Sequence, residues 1–322
     1  MKEKVDQMLQ IMGVFYQEDV EGVLTGPARD MGLEEEDIYM AGSILGTVGA
    51  EKLINIQKKY MEKQPHHIPM LFMMDVIHGM KTIFPMPLAQ GASFDPELTE
   101  KCAAVAAKES AVNGLHVTFA PMTDLVRDTR WGRVMESTGE DSYLNGRMAA
   151  AITRGVQSKE GVGTTIKHFA CNSQEDNRMG SNSILSERTL REIYLRGFEI
   201  AVKTAQPMAI MTSYNMINGV HTANCKDICT VAARKEWDFQ GIIMTDWTTT
   251  MPQGGSLSWK CVEAGNDLIM PGWPGDSENI REALKNGSMK REDLQACVKR
   301  MLKVIFKILG YEDCVSYGAQ FR

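Results

Sequence analysis

The sequence lacks the features that would place the protein in a membrane or on a nucleic acid. No apolar run approaches the roughly 20 residues that a membrane-spanning helix needs. Positive charge is not in excess, because 35 Lys and Arg stand against 41 Asp and Glu and leave a net charge of -6. Nucleic acids and anionic lipid surfaces both select basic patches, so we expect neither a nucleic-acid nor a membrane partner.

The usual signatures of metal, dinucleotide and disulfide chemistry are missing as well. The seven cysteines form no CxxC pair, and the six histidines have no partners at ligand spacing. No G-x-G-x-x-G follows a strand candidate. The start of the chain, MKEKVDQMLQ, is charged and has no apolar signal-peptide core. We therefore predict no metal or organic cofactor, reduced thiols and a cytoplasmic location.

Short apolar runs alternate with amphipathic helical segments along the chain. The strand candidates are 70–75, 116–121, 163–168, 208–213, 241–246 and 267–271, with 41–45 as a weaker seventh. The clearest helix candidates are 96–113, 186–205 and 291–309, with Asp95 and Ser186 as N-caps of the first two. Near-continuously apolar strands between helices predict parallel pairing with helices on the outside.

Seven or eight such units favour a (β/α)8 TIM-type barrel, an α/β fold, over a doubly wound sheet. We expect one barrel domain over residues 1–322. The stretch before residue 70 is the least strand-like part, so the first strand should be irregular. The ends, before about residue 10 and after about residue 311, have the composition of tails.

Polar and aromatic residues follow five of the predicted strands. They are Asp75 and His78, the segment from Asp124 to Arg133, Lys167 with His168, Ser213 with Tyr214, and Asp246 with Trp247. The carboxyl ends of barrel strands meet at one face, where active sites lie, so this convergence predicts an enzyme. Each residue alone also has a structural interpretation: Asp75 as an N-cap, Lys167 and His168 as a packing ion pair, Trp131 and Trp247 as core.

Together these residue types suit a polyhydroxylated ring. Acidic and basic side chains pair with sugar hydroxyls, and an indole, Trp247 or Trp131, can stack on the apolar face of a sugar. A carboxylate near cations such as Lys167 and Arg178 should stay ionised, because positive charge lowers its pKa. Such a carboxylate can attack an anomeric carbon while a second carboxyl acts as acid and base.

Six motifs, in order, resemble glycoside hydrolase family 3, the β-glucosidase family. They are DVIHG at 75–79, FPMPLAQGASFD at 84–95, RDTRWGRVMESTGEDSYL at 127–144, IKHFACNSQEDNR at 166–178, MTSYNMINGV at 211–220 and IIMTDW at 242–247. AGNDLIMPG at 264–272 extends the match. The resemblance thus covers about residues 70 to 275.

The resemblance implies that Asp246 is the catalytic nucleophile. It also implies a pocket for the terminal sugar, lined by Asp75, Arg133, Lys167, His168, Arg178 and Tyr214. We expect Trp247, the indole next to Asp246, to bind substrate there as well. Family members that act on xylosides tend to carry Glu at the position of Asp75, so a β-glucoside or a short β-linked oligosaccharide is the expected substrate. The sequence KHFACNS, in place of KHFPGHG, argues against the N-acetylglucosaminidase branch.

The resemblance also implies an acid/base glutamate on a companion α/β sandwich domain, which residues 1–322 do not contain. Another part of a longer protein or a second chain would then supply that acid, unless Glu136, Glu140 or Glu175 stands in for it. Two hypotheses remain. The first is a retaining β-glucosidase, impaired without its acid. The second is a carbohydrate-binding barrel with little or no turnover.

Overall fold

The structure, a computed structural model, describes residues 1–13, 32–250 and 255–309. Its main sheet is wholly parallel, and its seven strands follow one another in chain order. The strands are β1 Gln10–Met12, β2 Ser43–Leu45, β3 Leu71–Met74, β4 Val117–Thr118, β5 Gly163–Phe169, β7 Ala209–Thr212 and β10 Ile242–Met244. A second, small sheet is formed by β6 Asn182–Ser183, β8 Met216–Ile217 and β9 Val220–His221.

Residues 267–270 close this sheet into a barrel. Leu268 bridges Met244 of β10, and Ile269 bridges Leu9 beside β1, both in parallel. The amide of Gln10 donates to the carbonyl of Ile269 at 3.0 Å, and the amide of Ile269 donates to the carbonyl of Met8 at 2.8 Å. Eight parallel segments therefore form a ring, which confirms the predicted (β/α)8-type barrel.

Helices connect and cover these strands. They are α1 Lys2–Asp6, α2 Glu35–Ile38, α3 Ala50–Lys63, α4 Pro87–Ala92, α5 Pro96–Val112, α6 Ser142–Gln157, α7 Glu187–Thr189, α8 Arg196–Ala205, α9 Ser258–Ala264, α10 Pro274–Asn286 and α11 Arg291–Ile308. Two π-helices, Leu190–Tyr194 and Asp227–Glu236, complete the layer. Within the described residues, no helix is long and apolar enough to span a bilayer.

The predicted elements are confirmed closely, with one exception at the start of the chain. Six of the seven strand candidates coincide with strands of the main sheet, and the seventh, 267–271, coincides with the segment that closes it. The predicted caps Asp95 and Ser186 accept the amides of Leu98 and Thr189. The prediction of a tail before residue 10 is wrong, because α1 and the residues leading into β1 are largely buried against the barrel. The predicted tail after residue 311 lies outside the described residues.

Alternate residues of the strands face the two sides of the barrel wall. One set, which includes Leu71, Met73, Met211, Met244 and Leu268, forms a buried cluster inside the ring. The intervening residues pack outward against helices, as do Ile166, Ile210 and Ile243. Both faces of the strands are therefore buried, which is the physical reason for their near-continuous apolar sequences.

The ends of the barrel differ in chemistry. At the amino end, the buried carboxylate of Asp267 binds Arg234 at 2.5 Å and Arg300 at 2.7 Å, and it also accepts the amide of Ile243 at 2.8 Å. At the carboxyl end lie the polar residues that follow the strands. The amino-end network ties helix to strand, whereas the carboxyl end provides the candidate site.

Candidate active site

Asp246 lies two residues beyond β10, at the carboxyl end of the barrel. Its side chain is only 11% exposed. Oδ1 accepts the amide of Trp247 at 2.6 Å, and the carbonyl oxygen of Asp246 accepts the hydroxyl of Thr249 at 2.9 Å. Oδ2 has no hydrogen-bond donor in the described structure. The backbone is thus anchored, while one carboxylate oxygen stays free to contact a ligand.

Burial controls the acidity of this carboxyl. It raises the pKa of Asp246 above the ordinary value of an aspartate. The charges of Lys167 and Arg133, the amide of Trp247 and the hydroxyl of Tyr214 oppose this shift but do not cancel it. The expectation that neighbouring cations would dominate is therefore corrected: they oppose the rise in pKa, and burial decides its direction.

Strand β5 delivers Lys167 and His168, both of which are buried. The register that places them is fixed where the amide of Lys167 donates to the carbonyl of Pro121 at 3.1 Å and its own carbonyl accepts the amide of Thr123. The Lys167 ammonium forms an ion pair with Asp75, which follows β3 and is half exposed. Of the hydrogen bonds found in the described structure, none makes Asp75 a helix cap, so its contacts favour the pocket over the capping interpretation.

His168 lies between two carboxylates. Its Nδ1 is 2.8 Å from Oδ2 of Asp124, and its Nε2 is 3.5 Å from Oδ2 of Asp246. Nη1 of Arg133 lies 3.2 Å from the same Nε2. Burial and the charges of Arg133, Lys167 and Arg178 lower the pKa of His168 well below the usual value, so the imidazole is neutral.

A short 3-10 helix, Val134–Glu136, folds back on Arg133. Both oxygens of Glu136 accept from this guanidinium, at 3.2 Å and 2.6 Å. The ion pair holds Arg133 by two of its nitrogens and leaves the third against His168. Both oxygens of Glu136 are therefore used to orient Arg133.

Arg178 and Tyr214 come together through the loops after β5 and β7. A small sheet, formed by β6 Asn182–Ser183, β8 Met216–Ile217 and β9 Val220–His221, joins these two loops. The guanidinium of Arg178 lies 4.0 Å from the ring centre of Tyr214, in cation–π geometry. The Tyr214 hydroxyl in turn interacts with Asp246.

Glu175 binds three side chains in the part of the site that contains Arg178. Its Oε1 accepts from the indole N–H of Trp131 at 3.0 Å and from Asn172 at 3.2 Å, and its Oε2 accepts from Arg178 at 2.8 Å. Trp131 is buried and serves as part of this wall. Trp247, which is partly exposed, remains the indole available to stack on a sugar.

All eight residues expected from the sequence therefore belong to one connected cluster: Asp75, Arg133, Lys167, His168, Arg178, Tyr214, Asp246 and Trp247. Their functional roles stay predictions. Sequence reasoning named Asp124 as a residue that follows a strand, and Glu136 and Glu175 as candidate acids, but it did not predict that these three residues orient the others. Asp124 follows a strand as the others do, but nothing in the spacing shows that it binds His168.

The described residues contain no group of three or more His, Cys, Asp or Glu side chains that could hold a metal ion. The prediction that the protein needs no cofactor remains a prediction.

Comparison with known proteins identifies relatives over most of the chain. The family model described as "Glycosyl hydrolase family 3 N terminal domain" matches residues 1–304. A "Beta-glucosidase" of Rhizobium radiobacter is 38% identical over 239 residues, which are 74% of this chain and 28% of the relative. An "Exo-alpha-(1->6)-L-arabinopyranosidase" of Bifidobacterium breve is 40% identical over 226 residues, 70% of this chain and 29% of the relative.

A solved structure extends the likeness to nearly all of the chain. The crystal structure of a mutant β-glucosidase from Listeria innocua in complex with laminaribiose has a TM-score of 0.89 and 34% sequence identity. The alignment covers 97% of this chain but 46% of that one. The chain thus spans less than half of the solved relative and under a third of these two curated relatives.

Proposed function

The chain belongs to glycosyl hydrolase family 3, and we propose that it acts on terminal β-D-glucosyl residues through a covalent glycosyl-enzyme formed on Asp246. The observation that carries this proposal is the geometry of Asp246. Its carboxylate is buried and anchored through one oxygen, while the other oxygen has no donor in the described structure, and the charges of Lys167 and Arg133 act on the group. An oriented, poorly solvated carboxylate of this kind is suited to attack an anomeric carbon.

The surrounding residues suit recognition of a single sugar ring. The Asp75–Lys167 pair offers an acceptor and a donor at the open edge of the cluster, where ring hydroxyls can replace their mutual contact. Tyr214 supports Asp246 from the side, and Arg178 holds the Tyr214 ring. Trp247 provides an apolar surface next to the reacting carboxylate.

None of the three glutamates considered as the catalytic acid/base is well placed for that role in the described structure. Retaining hydrolysis needs a second carboxyl about 5 Å from the nucleophile. Both oxygens of Glu136 bind Arg133, and both oxygens of Glu175 accept hydrogen bonds, so neither is free to protonate a leaving group. Glu140 lies on the exposed surface. We infer that the acid comes from another polypeptide segment, in the same protein or in a second chain.

An apolar surface beside the pocket supports this inference. Its members are exposed apolar residues of the segments that follow β3 and β4, namely Ile83, Met86, Leu88, Phe94 and Met135. Helix α4, which carries Leu88, packs against the short helix that contains Met135, the neighbour in sequence of the Arg133–Glu136 pair. Exposed apolar side chains grouped in this way mark an interaction site more often than isolated ones do.

This surface is held in place by a glutamate. The carboxylate of Glu109 accepts the amides of Lys81 and Thr82 at 2.8 Å each, and the Thr82 hydroxyl at 2.6 Å. These bonds fix the loop that leads from Asp75 to Ile83. A partner that docked there would therefore meet a preorganised loop, which lowers the entropic cost of binding.

The alternative function is a carbohydrate-binding barrel that turns over little or nothing. Covalent trapping separates the two. A 2-deoxy-2-fluoro glucoside with a good leaving group needs little acid assistance, so it should label Asp246 and allow mass spectrometry to find the label on that peptide. Label on another acid overturns the assignment. Glucose binding with no label favours the binding barrel.

Cellobiose tests the origin of the acid. If the acid lies outside these residues, the barrel should be labelled by the activated glucoside and should leave cellobiose intact. Rapid cellobiose hydrolysis at a rate proportional to protein concentration would place the acid within this chain. A rate that rises with the square of the concentration would indicate a second copy as its source.

A further inference from the structure

Asp124 controls which nitrogen of His168 carries the proton. A single oxygen of its carboxylate, Oδ2, accepts both the backbone amide and Nδ1 of His168, each at 2.8 Å. The carboxylate is completely buried, and its backbone is held by the Ser137 hydroxyl at 2.6 Å and by the Asn145 amide at 3.2 Å, both on its carbonyl oxygen. The acceptor is therefore fixed in position before any ligand arrives.

A second contact requires the same tautomer. Nη1 of Arg133 lies 3.2 Å from Nε2 of His168, and an arginine can only donate. Nε2 must then present its lone pair, which leaves the single proton of the neutral ring on Nδ1, opposite Asp124. Because Asp124 and Arg133 approach from opposite sides of the ring and specify the same proton position, the tautomer is determined twice.

The tautomer matters because Nε2 faces the proposed nucleophile. Oδ2 of Asp246 lies 3.5 Å away and has no donor in the described structure. An Nε2–H tautomer would point a donor at this oxygen, which would stabilise the carboxylate and reduce its reactivity. In the Nδ1–H tautomer, Nε2 has no proton to donate to Asp246, because its single lone pair accepts from Arg133.

We propose that Asp124 is a positioning residue: it locks His168 as the Nδ1–H tautomer, so that Nε2 accepts from Arg133 and donates nothing to Oδ2 of Asp246. The lock keeps the imidazole from donating a hydrogen bond to the reactive oxygen of Asp246 before a substrate arrives. This role rests on the proposed function for its catalytic meaning, but the tautomer itself does not depend on turnover.

Nitrogen NMR of protein labelled with 15N-histidine tests the lock directly. The chain has six histidines, and His168→Gln identifies the signals of interest by their loss. We expect His168 to show a protonated Nδ1 and an unprotonated Nε2 in the unliganded protein. A protonated Nε2 overturns the proposal, whatever the activity of the protein.

The matched variants are Ser137→Ala, Arg133→Met and the double variant that combines Arg133→Met with Asp124→Leu. Arg133→Met removes the second determinant, so Asp124 alone should keep the proton on Nδ1. Asp124→Leu in that background leaves Nδ1 without an acceptor, so the Nδ1–H signature should be lost. Ser137→Ala removes a bond to the Asp124 carbonyl oxygen and leaves the carboxylate in place, so it should keep the Nδ1–H signature.

Two results would count against the lock, and neither requires that the proposed function hold. In one, the double variant retains the Nδ1–H tautomer. In the other, Ser137→Ala loses that tautomer as the double variant does, which would indicate general loosening of the loop. If the double variant does not fold, the spectrum of the unmodified protein alone still decides. Absence of any labelling would refute the nucleophile assignment and leave the tautomer result standing.

Discussion

Asp246 and Asp267 are buried aspartates at opposite ends of strand β10. Asp246 follows the carboxyl end, and Asp267 accepts the amide of Ile243 near the amino end. Asp267 is matched by two arginines within 2.7 Å, whereas Oδ2 of Asp246 has no donor in the described structure. The negative charge of Asp267 is neutralised by its two arginine partners. The carboxylate of Asp246 is buried without such partners, which costs folding free energy.

The same substitution should therefore have opposite effects at the two sites. Asp246→Asn removes a buried charge whose ionised form is disfavoured, so the free energy of unfolding near neutral pH should rise by about 1 kcal/mol while labelling is lost. Asp267→Asn leaves Arg234 and Arg300 without a countercharge and should destabilise the fold by about 3 to 5 kcal/mol. Chemical denaturation of both variants measures this. A destabilised Asp246→Asn would mean that the carboxylate supports the fold.

The pH dependence of labelling should reflect the raised pKa of Asp246. A carboxyl with a raised pKa keeps its proton to higher pH, so labelling should weaken as the pH falls through a midpoint above that of an ordinary aspartate. Lys167→Met removes a charge that opposes the shift, and the midpoint should move further upward. Lys203→Met, on the outer surface of α8, is the control and should leave it unchanged. A downward move would contradict this account of Asp246.

Asp75→Asn tests sugar recognition without removing the acceptor for Lys167. Asp75 is half exposed, so the loss of its charge should change the free energy of unfolding by less than about 1 kcal/mol. Glucose affinity should fall about tenfold, because charge-assisted hydrogen bonds to sugar hydroxyls are lost. Glu100→Gln, in the exposed pair with Arg154, provides a comparison for stability. Unchanged glucose affinity measured by calorimetry would remove Asp75 from the pocket.

His116 predicts acid sensitivity of the fold. Burial lowers its pKa to about 4, and its Nδ1 accepts the amide of Phe72 at 3.1 Å. Between pH 6.5 and 4, His116 binds a proton in the unfolded chain but not in the folded chain. The free energy of unfolding should therefore fall by roughly 3 kcal/mol as the pH drops over that range.

The isosteric change His116→Asn keeps an acceptor for Phe72 and removes the titration. Denaturation at several pH values should therefore show a flatter stability profile for this variant. His66→Asn, at an exposed histidine, should keep the original slope. Equal slopes in all three proteins would show that His116 does not govern the acid response.

The sequence predicted the strands that are apolar on both faces and missed the one that is not. Gln10 of β1 points into a network in which its amide donates to the Ser43 hydroxyl at 3.1 Å and contacts the sulfur of Met73 at 3.2 Å. A polar residue inside a short strand gives no apolar run, so the segment resembled a tail. Only its long-range partners make it a strand.

The residues of the site also divide into those that the sequence could predict and those that it could not. Residues at strand ends could be predicted, because the barrel geometry brings all such ends together. The partners that orient them, such as Glu175 for Arg178, depend on how two loops fold against each other, and sequence spacing does not encode that arrangement. The direction of the Asp246 pKa shift likewise required the burial that the structure shows.

The backbone pairing that closes the barrel also determines when the first strand can complete its hydrogen bonds during synthesis. The amide of Gln10 pairs with the carbonyl of Ile269, and the amide of Gly272 pairs with the carbonyl of Gln10. During synthesis from the amino terminus, the first strand can pair early with β2, but its second neighbour exists only after residues 267–270 have been made. Such non-local pairing slows folding and leaves an unpaired strand edge exposed in the meantime. The nascent barrel is therefore most prone to aggregate before residue 272 has left the ribosome, long after its first strand has emerged.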